Sequence, residues 1–118
     1  MTKPLALIVE DDEHLSRIFA KSLSADFETE IASDGATALM RLAQIKPTIV
    51  ILDLNLPALG GKDILADIRS NPDLDGTRVI LCTADARQAE TLQDQADIVM
   101  LKPVSPLQLR EIAARFRP

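Results

Sequence analysis

The feature that most constrains the fold is an unbroken apolar run, Ile-Val-Ile-Leu at residues 49–52, that leads directly into Asp53. Strands that are buried on both faces lose the alternation of polar and apolar residues and become continuous runs of Val, Ile and Leu. Pro57 has no N–H group for a strand ladder, so we expect pairing to end before it. The run therefore predicts a central parallel strand with Asp53 at its carboxyl end. Ligands bind at this edge of open α/β sheets, although an Asp that simply starts a loop is the alternative for this residue alone.

Short apolar runs alternate with helix-like segments along the chain, which predicts a parallel sheet with helices on both faces. The predicted strands span residues 5–9, 27–31, 49–52, 78–83 and 98–101. Residues 27–31 alternate apolar and polar side chains, so we expect them to form an edge strand. Five β/α units in 118 residues fit a three-layer, doubly wound α/β fold.

The helices are predicted from apolar stripes and from residues that start or stop helices. The predicted stripes are Leu15, Ile18, Phe19 and Leu23 in the first helix, Ala36, Leu39, Met40, Leu42 and Ala43 in the second, and Ile64, Leu65 and Ile68 in the third. Pro47 stops the second helix, and Ser105 caps the fifth, with Pro106 at its first position. The fourth helix, residues 86–95, is polar and has few apolar anchors, so we expect it to be weakly held.

The charge balance and the single cysteine exclude several classes of protein. The chain has 13 basic and 18 acidic residues, and its net charge of −5 argues against a general surface for nucleic acid or membrane. Cys82 has no cysteine partner and follows an apolar run, so we expect a buried, inert thiol in a reducing compartment. The first residues do not resemble a signal peptide, because one positive charge precedes a short apolar run. We therefore expect a cytoplasmic protein.

Polar side chains stand at the carboxyl ends of four predicted strands. They are Glu10 with Asp11, Asp53 with Asn55, Thr83, and Lys102. Carboxylates that converge on one edge repel one another unless a cation lies among them, and oxygen ligands of this kind suit Mg²⁺. A hydroxyl and an ammonium group at the same edge are what the oxygens of a phosphoryl group need. Taken singly, the acids could favour a helix N-terminus, Thr83 could cap a helix and Lys102 could be a solvated charge.

Four motifs at these strand ends resemble the receiver domain of two-component response regulators, the CheY-like family. They are Ile8-Val9-Glu10-Asp11, Leu52-Asp53-Leu54-Asn55-Leu56-Pro57 with Gly61 following, Cys82-Thr83-Ala84, and Leu101-Lys102-Pro103. The resemblance covers the whole chain and implies a flavodoxin-like sheet of strand order 2-1-3-4-5 with five helices. It also implies a single receiver domain over residues 1–118 with no output domain in the chain, and a cis peptide bond between Lys102 and Pro103.

The resemblance implies a phosphorylation-dependent signalling switch. Asp53 would accept a phosphoryl group from the phosphohistidine of a sensor histidine kinase or a histidine phosphotransfer protein. Asp11, Asp53 and the backbone carbonyl of Asn55 would hold Mg²⁺, and Glu10 would help directly or through water. Thr83 and Lys102 would each contact a phosphoryl oxygen. Asp12 could replace Asp11 if the first strand ran one residue longer, but the apolar run stops at Val9, which favours Glu10-Asp11.

Such a protein catalyses its own phosphorylation and slow dephosphorylation but is not a conventional turnover enzyme. Asn55 and Asp85 lie where family members tune the lifetime of the acyl phosphate. The implied partners are the phosphoryl donor and a downstream output protein or domain, and a phosphorylation-dependent homodimer is compatible with the family. Neither direct nucleic-acid binding nor membrane association is expected. The lone histidine, His14, follows the acidic loop and is expected to be solvated.

The chain also departs from the family, and two alternatives stay open. The aromatic residue usual three places before the lysine is Val99, the stretch between Thr83 and Lys102 is about one helical turn short, and Gly60 stands where an acid is common. A degenerate receiver would keep the fold as a protein-binding module without phosphotransfer. A haloacid dehalogenase type of hydrolase would also start from an Asp at a strand end, but it would need an acid where Asn55 stands.

Overall fold

A parallel sheet of five strands forms the centre of the computed structural model, which describes residues 2–118. The strands are β1 (Leu5–Val9), β2 (Glu28–Ala32), β3 (Ile49–Asp53), β4 (Arg78–Thr83) and β5 (Ile98–Leu101). Their order in the sheet is β2-β1-β3-β4-β5, and all four pairings are parallel. All five residues of β3 are buried between β1 and β4, as its continuous apolar run predicts.

Five helices cover the two faces of the sheet, which confirms the predicted three-layer fold. They are α1 (Glu13–Leu23), α2 (Gly35–Leu42), α3 (Gly61–Ser70), α4 (Ala86–Leu92) and α5 (Pro106–Ala114), with a short 3₁₀ turn at Pro72–Leu74. Helices α1 and α5 share one apolar core with the sheet, and α2, α3 and α4 share the other. Cys82 is buried in the first of these cores, as predicted, and burial raises the pKa of its thiol to about 12.

The predicted apolar face of α2 is partly wrong. Ala36, Met40 and Ala43 are exposed, whereas Ala38, which the prediction omits, is fully buried together with Leu42. The helix begins at Gly35, and the residues at i, i+3 and i+7 from it, Gly35, Ala38 and Leu42, face the sheet. The three exposed residues lie on other sides of the helix. The Pro47 stop is also too late, because α2 ends at Leu42.

Smaller differences affect two other elements. Strand β2 begins one residue later than predicted, with buried Phe27 just ahead of it. Helix α4 ends at Leu92 rather than at residue 95, and within it Ala89 and Leu92 are the buried residues. The caps agree with prediction at α5, where the Ser105 hydroxyl accepts a hydrogen bond from the Gln108 N–H group at 3.2 Å.

Two features of the backbone shape the loops at the carboxyl edge. The peptide bond between Lys102 and Pro103 is cis, as predicted from the family motif. Ala58, in the loop between β3 and α3, has a φ of 61°, a left-handed conformation that is unusual for a residue with a side chain. Within residues 2–118, none of the helices has the length and apolar character that crossing a membrane requires.

Candidate functional site

Three buried polar side chains and a lysine meet at the carboxyl edge of the sheet. Asp53 is the last residue of β3 and Thr83 the last of β4, while Glu10 and Lys102 directly follow β1 and β5. Glu10 and Asp53 are 2% and 3% exposed, and Thr83 is fully buried. The side chain of Lys102 keeps 23% of its surface exposed. The order of the strands produces this convergence, because β1, β3 and β4 are adjacent and end at the same edge.

The ammonium group of Lys102 bridges the two buried carboxylates. Its Nζ lies 3.1 Å from Asp53 Oδ1 and 3.3 Å from Glu10 Oε1. Backbone N–H groups hold the same carboxylates: the N–H of Asn55 donates to Asp53 Oδ1 at 3.1 Å, and that of Asp12 donates to Glu10 Oε2 at 3.2 Å. The orientation of both carboxylates is therefore fixed by the loops that follow β1 and β3.

A third carboxylate completes an acidic cluster. Glu10, Asp11 and Asp53 each offer an oxygen atom, and these atoms lie within 4.8 Å of one another. Asp11 is exposed and borders the opening of the site. Asp12 has a different task, because its Oδ1 accepts a hydrogen bond from the Leu15 N–H group at 3.0 Å and so caps α1. The structure thus brings Asp11, and not Asp12, to the two buried acids.

The electrostatics of the cluster favour a bound cation. Burial raises the pKa of Glu10 to about 7, with a further contribution from the charge of Asp53, and the Asp12 N–H group and Lys102 only partly oppose this rise. Burial lowers the pKa of Lys102, but its hydrogen bond to Asp53 and the charges of Asp53 and Glu10 outweigh this effect and raise it. The cluster therefore holds three carboxylates and one ammonium group, which contacts two of them. Oxygen-only ligands with excess negative charge fit Mg²⁺.

Thr83 connects the site to α4. Its hydroxyl oxygen accepts a hydrogen bond from the Asp85 N–H group at 3.0 Å, so the hydroxyl hydrogen remains available to a second partner. The carboxylate of Asp85 in turn caps α4 by accepting from the N–H groups of Arg87 and Gln88 at 3.0 and 3.2 Å. Thr83 is one residue beyond Cys82, the register partner of Asp53, and so borders the acidic cluster. Asn55 is exposed at the rim, held through its backbone as described above.

Two residues that shape the site have roles that we did not assign from the sequence. Asp12, weighed above as an alternative to Asp11 and among the acids near a helix N-terminus, is the N-cap of α1, a role that its spacing from Leu15 could have indicated. Gly35 lies against Leu59 of the loop after Asp53, so closely that a Cβ atom there would be 2.5 Å from the Leu59 carbonyl oxygen. No local pattern in the sequence reveals this contact, because it joins α2 to a loop of the next β/α unit. His14 is exposed, as predicted.

A family model described as response regulator receiver domain matches residues 6–114. The chain belongs to this family. This receiver domain is 30% identical over 115 residues to the DNA-binding response regulator MtrA of Mycolicibacterium smegmatis, covering 94% of this chain and 48% of MtrA. It is 35% identical over 120 aligned positions to the probable transcriptional regulator ycf27 of Guillardia theta, covering 98% of this chain and 45% of ycf27. The chain thus spans about half the length of these relatives.

Solved structures agree with the fold of the receiver domain. The chemotaxis response regulator CheY4 of Vibrio cholerae superposes with a TM-score of 0.88 at 23% identity, covering 98% of this chain and 99% of CheY4. The signal receiver domain of a Luxo repressor protein from Vibrio parahaemolyticus superposes with a TM-score of 0.87 at 26% identity, covering 97% and 89%. The chain is therefore a receiver domain of two-component signalling. Receiver domains are phosphoacceptor domains that bind Mg²⁺ at an acidic pocket, and here Glu10, Asp11 and Asp53 form such a pocket.

Proposed function

We propose that this receiver domain accepts a phosphoryl group on Asp53 from the phosphohistidine of a sensor histidine kinase or a histidine phosphotransfer protein. The observation that carries the proposal is the Lys102 ammonium group, 3.1 Å from Asp53 Oδ1 within a cluster of carboxylates. A buried carboxylate with an ammonium group and two further acids beside it is equipped to bind a phosphoryl group together with a divalent cation. Glu10, Asp11, Asp53 and the backbone carbonyl of Asn55 would hold Mg²⁺.

In the proposed transfer, an oxygen of Asp53 attacks the phosphorus atom of phosphohistidine. A P–O bond forms while the P–N bond breaks, and the imidazole nitrogen keeps the electron pair. Asp53 Oδ1 already accepts the Asn55 N–H group and contacts Lys102, which leaves Oδ2 for the new bond. Bound Mg²⁺ would neutralise charge on the phosphoryl oxygens.

The remaining side chains would hold the phosphoryl oxygens after transfer. Lys102 has three N–H donors and already contacts both buried carboxylates, so a small shift would pair it with a phosphoryl oxygen. The Thr83 hydroxyl would donate its free hydrogen to another oxygen while it still accepts from the Asp85 N–H group. Phosphorylation would then pull on the capping residue of α4, and so change the surface that an output protein or domain contacts.

The proposed partners follow from this chemistry. The phosphoryl donor is a phosphohistidine protein, and the downstream partner is an output protein or domain. The phosphorylated chain would also be able to form a homodimer. Direct binding of nucleic acid is not part of the proposal, because the net charge of −5 opposes it. The DNA binding named for MtrA belongs to a protein about twice as long. A cytoplasmic location fits a chain whose lone cysteine is a buried thiol.

Labelling by a small phosphodonor tests the proposal. Incubation with acetyl phosphate and Mg²⁺ should add one phosphoryl group by intact mass, and removal of Mg²⁺ with a chelator should prevent the addition. Asp53→Asn should abolish labelling, whereas Asp73→Asn, at an exposed acid in the 3₁₀ turn, should leave it unchanged. An unlabelled wild type would favour the degenerate receiver, and persistent labelling of Asp53→Asn would place the acceptor elsewhere.

A further inference from the structure

We propose that Gly35, the first residue of α2, is a positioning residue for the metal site. Because Gly35 has no side chain, the loop that follows Asp53 can pack directly against it. This inference rests on the proposed function of the acidic cluster. The loop spans residues 54–60 and includes Asn55, whose N–H group orients Asp53. Gly35 belongs to a different β/α unit, so it would act on the loop through a tertiary packing contact and not along the chain.

The packing at Gly35 is too tight for any other residue. A Cβ atom at this position would lie 2.5 Å from the carbonyl oxygen of Leu59 and 2.9 Å from its Cβ. Real Cβ atoms do not approach backbone this closely, so a side chain here would displace Leu59. The backbone conformation does not itself require glycine, since none of the glycines has a positive φ. Alanine is also the better helix former, so the contact with Leu59 is what opposes it.

The other end of the loop is held in the same way. Gly61, the first residue of α3, packs against the carbonyl of Asp53, and a Cβ atom there would lie 2.7 Å from the Cα of Leu54. Its N–H group donates to the Leu54 carbonyl at 3.3 Å. The loop is therefore held between α2 on one side and its own strand on the other. Because Gly61 is closely packed at the far end of the loop, we expect a displacement of Leu59 to be passed along the loop to Asn55.

A displacement of this loop would lower the affinity for Mg²⁺ as well as the stability of the fold. Asn55 provides the N–H group that fixes Asp53 Oδ1, and its carbonyl is the proposed backbone ligand for Mg²⁺. Groups that orient metal ligands from outside the coordination sphere typically change metal affinity by 10- to 100-fold when they are altered. A methyl group at residue 35 would therefore weaken Mg²⁺ binding even in protein that remains folded.

The test compares three Gly→Ala variants. The Mg²⁺ concentration that gives half of the maximal rate of acetyl phosphate labelling is measured by intact mass, and Mg²⁺ binding without phosphodonor is measured by the rise in the thermal midpoint of each variant with Mg²⁺ concentration. Gly35→Ala should raise the half-maximal concentration about tenfold. Gly60→Ala and Gly76→Ala should not change it, because a Cβ at residue 60 would meet only the Leu54 carbonyl oxygen, at 4.0 Å, and one at residue 76 would meet nothing within 4 Å.

The outcomes separate this inference from the proposed function. An unlabelled wild type contradicts the proposed function itself. A labelled wild type with an unchanged Mg²⁺ dependence in Gly35→Ala overturns the positioning role, whatever the loss of stability, and so does an equal change in either control. If Gly35→Ala does not fold, Leu59→Gly is used instead. This variant removes the Leu59 side chain from the contact with Gly35 without adding an atom, and it should also raise the Mg²⁺ concentration needed for labelling. No change in Leu59→Gly would then overturn the inference.

Discussion

At the scale of single residues, the proposed function gives Lys102 two roles that a substitution can separate. Its ammonium group contacts two of the three carboxylates that would hold Mg²⁺, and in the proposed transfer it would also stabilise the phosphoryl group. The first role makes Lys102 a competitor of the cation, and the second makes it necessary for fast transfer. The two roles predict opposite effects on Mg²⁺ binding and on the rate of labelling.

Lys102→Gln should slow labelling by acetyl phosphate about 100-fold, as expected when one charged donor to a developing anion is lost. The same variant should bind Mg²⁺ more tightly, because the competing ammonium group is gone. Labelling is followed by intact mass, and Mg²⁺ binding by the rise in thermal midpoint with Mg²⁺ concentration. Lys62→Gln, at an exposed position in α3, is the control. A wild-type labelling rate in Lys102→Gln would exclude this role for the lysine.

At the scale of elements, α4 is the part of the receiver best placed to respond to phosphorylation. It has seven residues, and Ala89 and Leu92 are the buried ones within it. Its cap, Asp85, is hydrogen-bonded through its backbone to the Thr83 hydroxyl. Val99 is partly buried and packs against the core, and as a β-branched residue it is too stiff and too small to alternate between a buried and an exposed position. The signal should therefore travel from Thr83 to α4.

Hydrogen exchange tests this route. Addition of beryllofluoride, which mimics the phosphoryl group, should change amide exchange in residues 84–97, because few apolar contacts hold this segment. Thr83→Ala should weaken that response and leave Mg²⁺ binding largely intact. Thr91→Ala, on the exposed side of the same helix, should keep the response. Unchanged exchange in residues 84–97, with a response in α1 or at Gly60-Gly61 instead, would place the output surface elsewhere.

The segment that returns from α4 to β5 is anchored by a different set of contacts. Asp97 accepts hydrogen bonds from the Val79 N–H group at 2.7 Å and from Arg69 and Arg78 at 2.8 and 3.1 Å. Arg69, in α3, also donates to the carbonyl groups of Gln95 and Thr77. Burial raises the pKa of Asp97, but these donors outweigh burial and lower it. These contacts tie the segment after α4 to α3 and β4, so within residues 84–97 we expect the change in exchange to be largest ahead of that segment, in α4.

The lowered pKa of Asp97 makes a stability prediction with a defined sign. Its contribution is complete above the unfolded-state pKa, about 3.9, and is lost as the pH falls through the lower pKa of the folded state. Asp97→Asn should reduce the free energy of unfolding by about 1 to 3 kcal/mol at pH 7, and the difference should shrink toward pH 3. Urea unfolding at both pH values measures it, with exposed Asp94→Asn as the control. An equal difference at both pH values would contradict the role of the carboxylate charge.

At the scale of the whole molecule, the strands follow from features that the sequence carries locally, whereas their order was implied by the resemblance to the receiver family. The continuous apolar run before Asp53 predicts a buried central strand, and β3 has that position. The stripe of α2 was misassigned because Ala36 and Met40 suit a helix whichever way they face, and only the packing of Ala38 against the sheet decides the orientation. Helix propensity does not show which face of α2 packs against the sheet, because the two candidate stripes are offset by only one or two residues.

The candidate site also contains residues that the sequence predicts and contacts that it does not. The strand-end residues could be predicted, because parallel strands that end in polar residues bring those residues to one edge. The cap at Asp12 is a local feature that its spacing from Leu15 could have indicated. The contact of Gly35 with Leu59 could not be predicted, because it joins two separate β/α units. The network around Asp97 was missed for the same reason, since its donors come from α3 and β4.

The most direct test of the central claim is to locate the phosphoryl group by chemical trapping. Wild-type protein is labelled with acetyl phosphate and Mg²⁺, reduced with borohydride, digested and sequenced by tandem mass spectrometry. Borohydride reduces an acyl phosphate to the alcohol, so the account predicts homoserine at position 53 and nowhere else, dependent on Mg²⁺. Homoserine at position 11 or 12, its glutamate-derived counterpart at position 10, or no reduced residue at all would contradict the assignment of Asp53 as the phosphoacceptor.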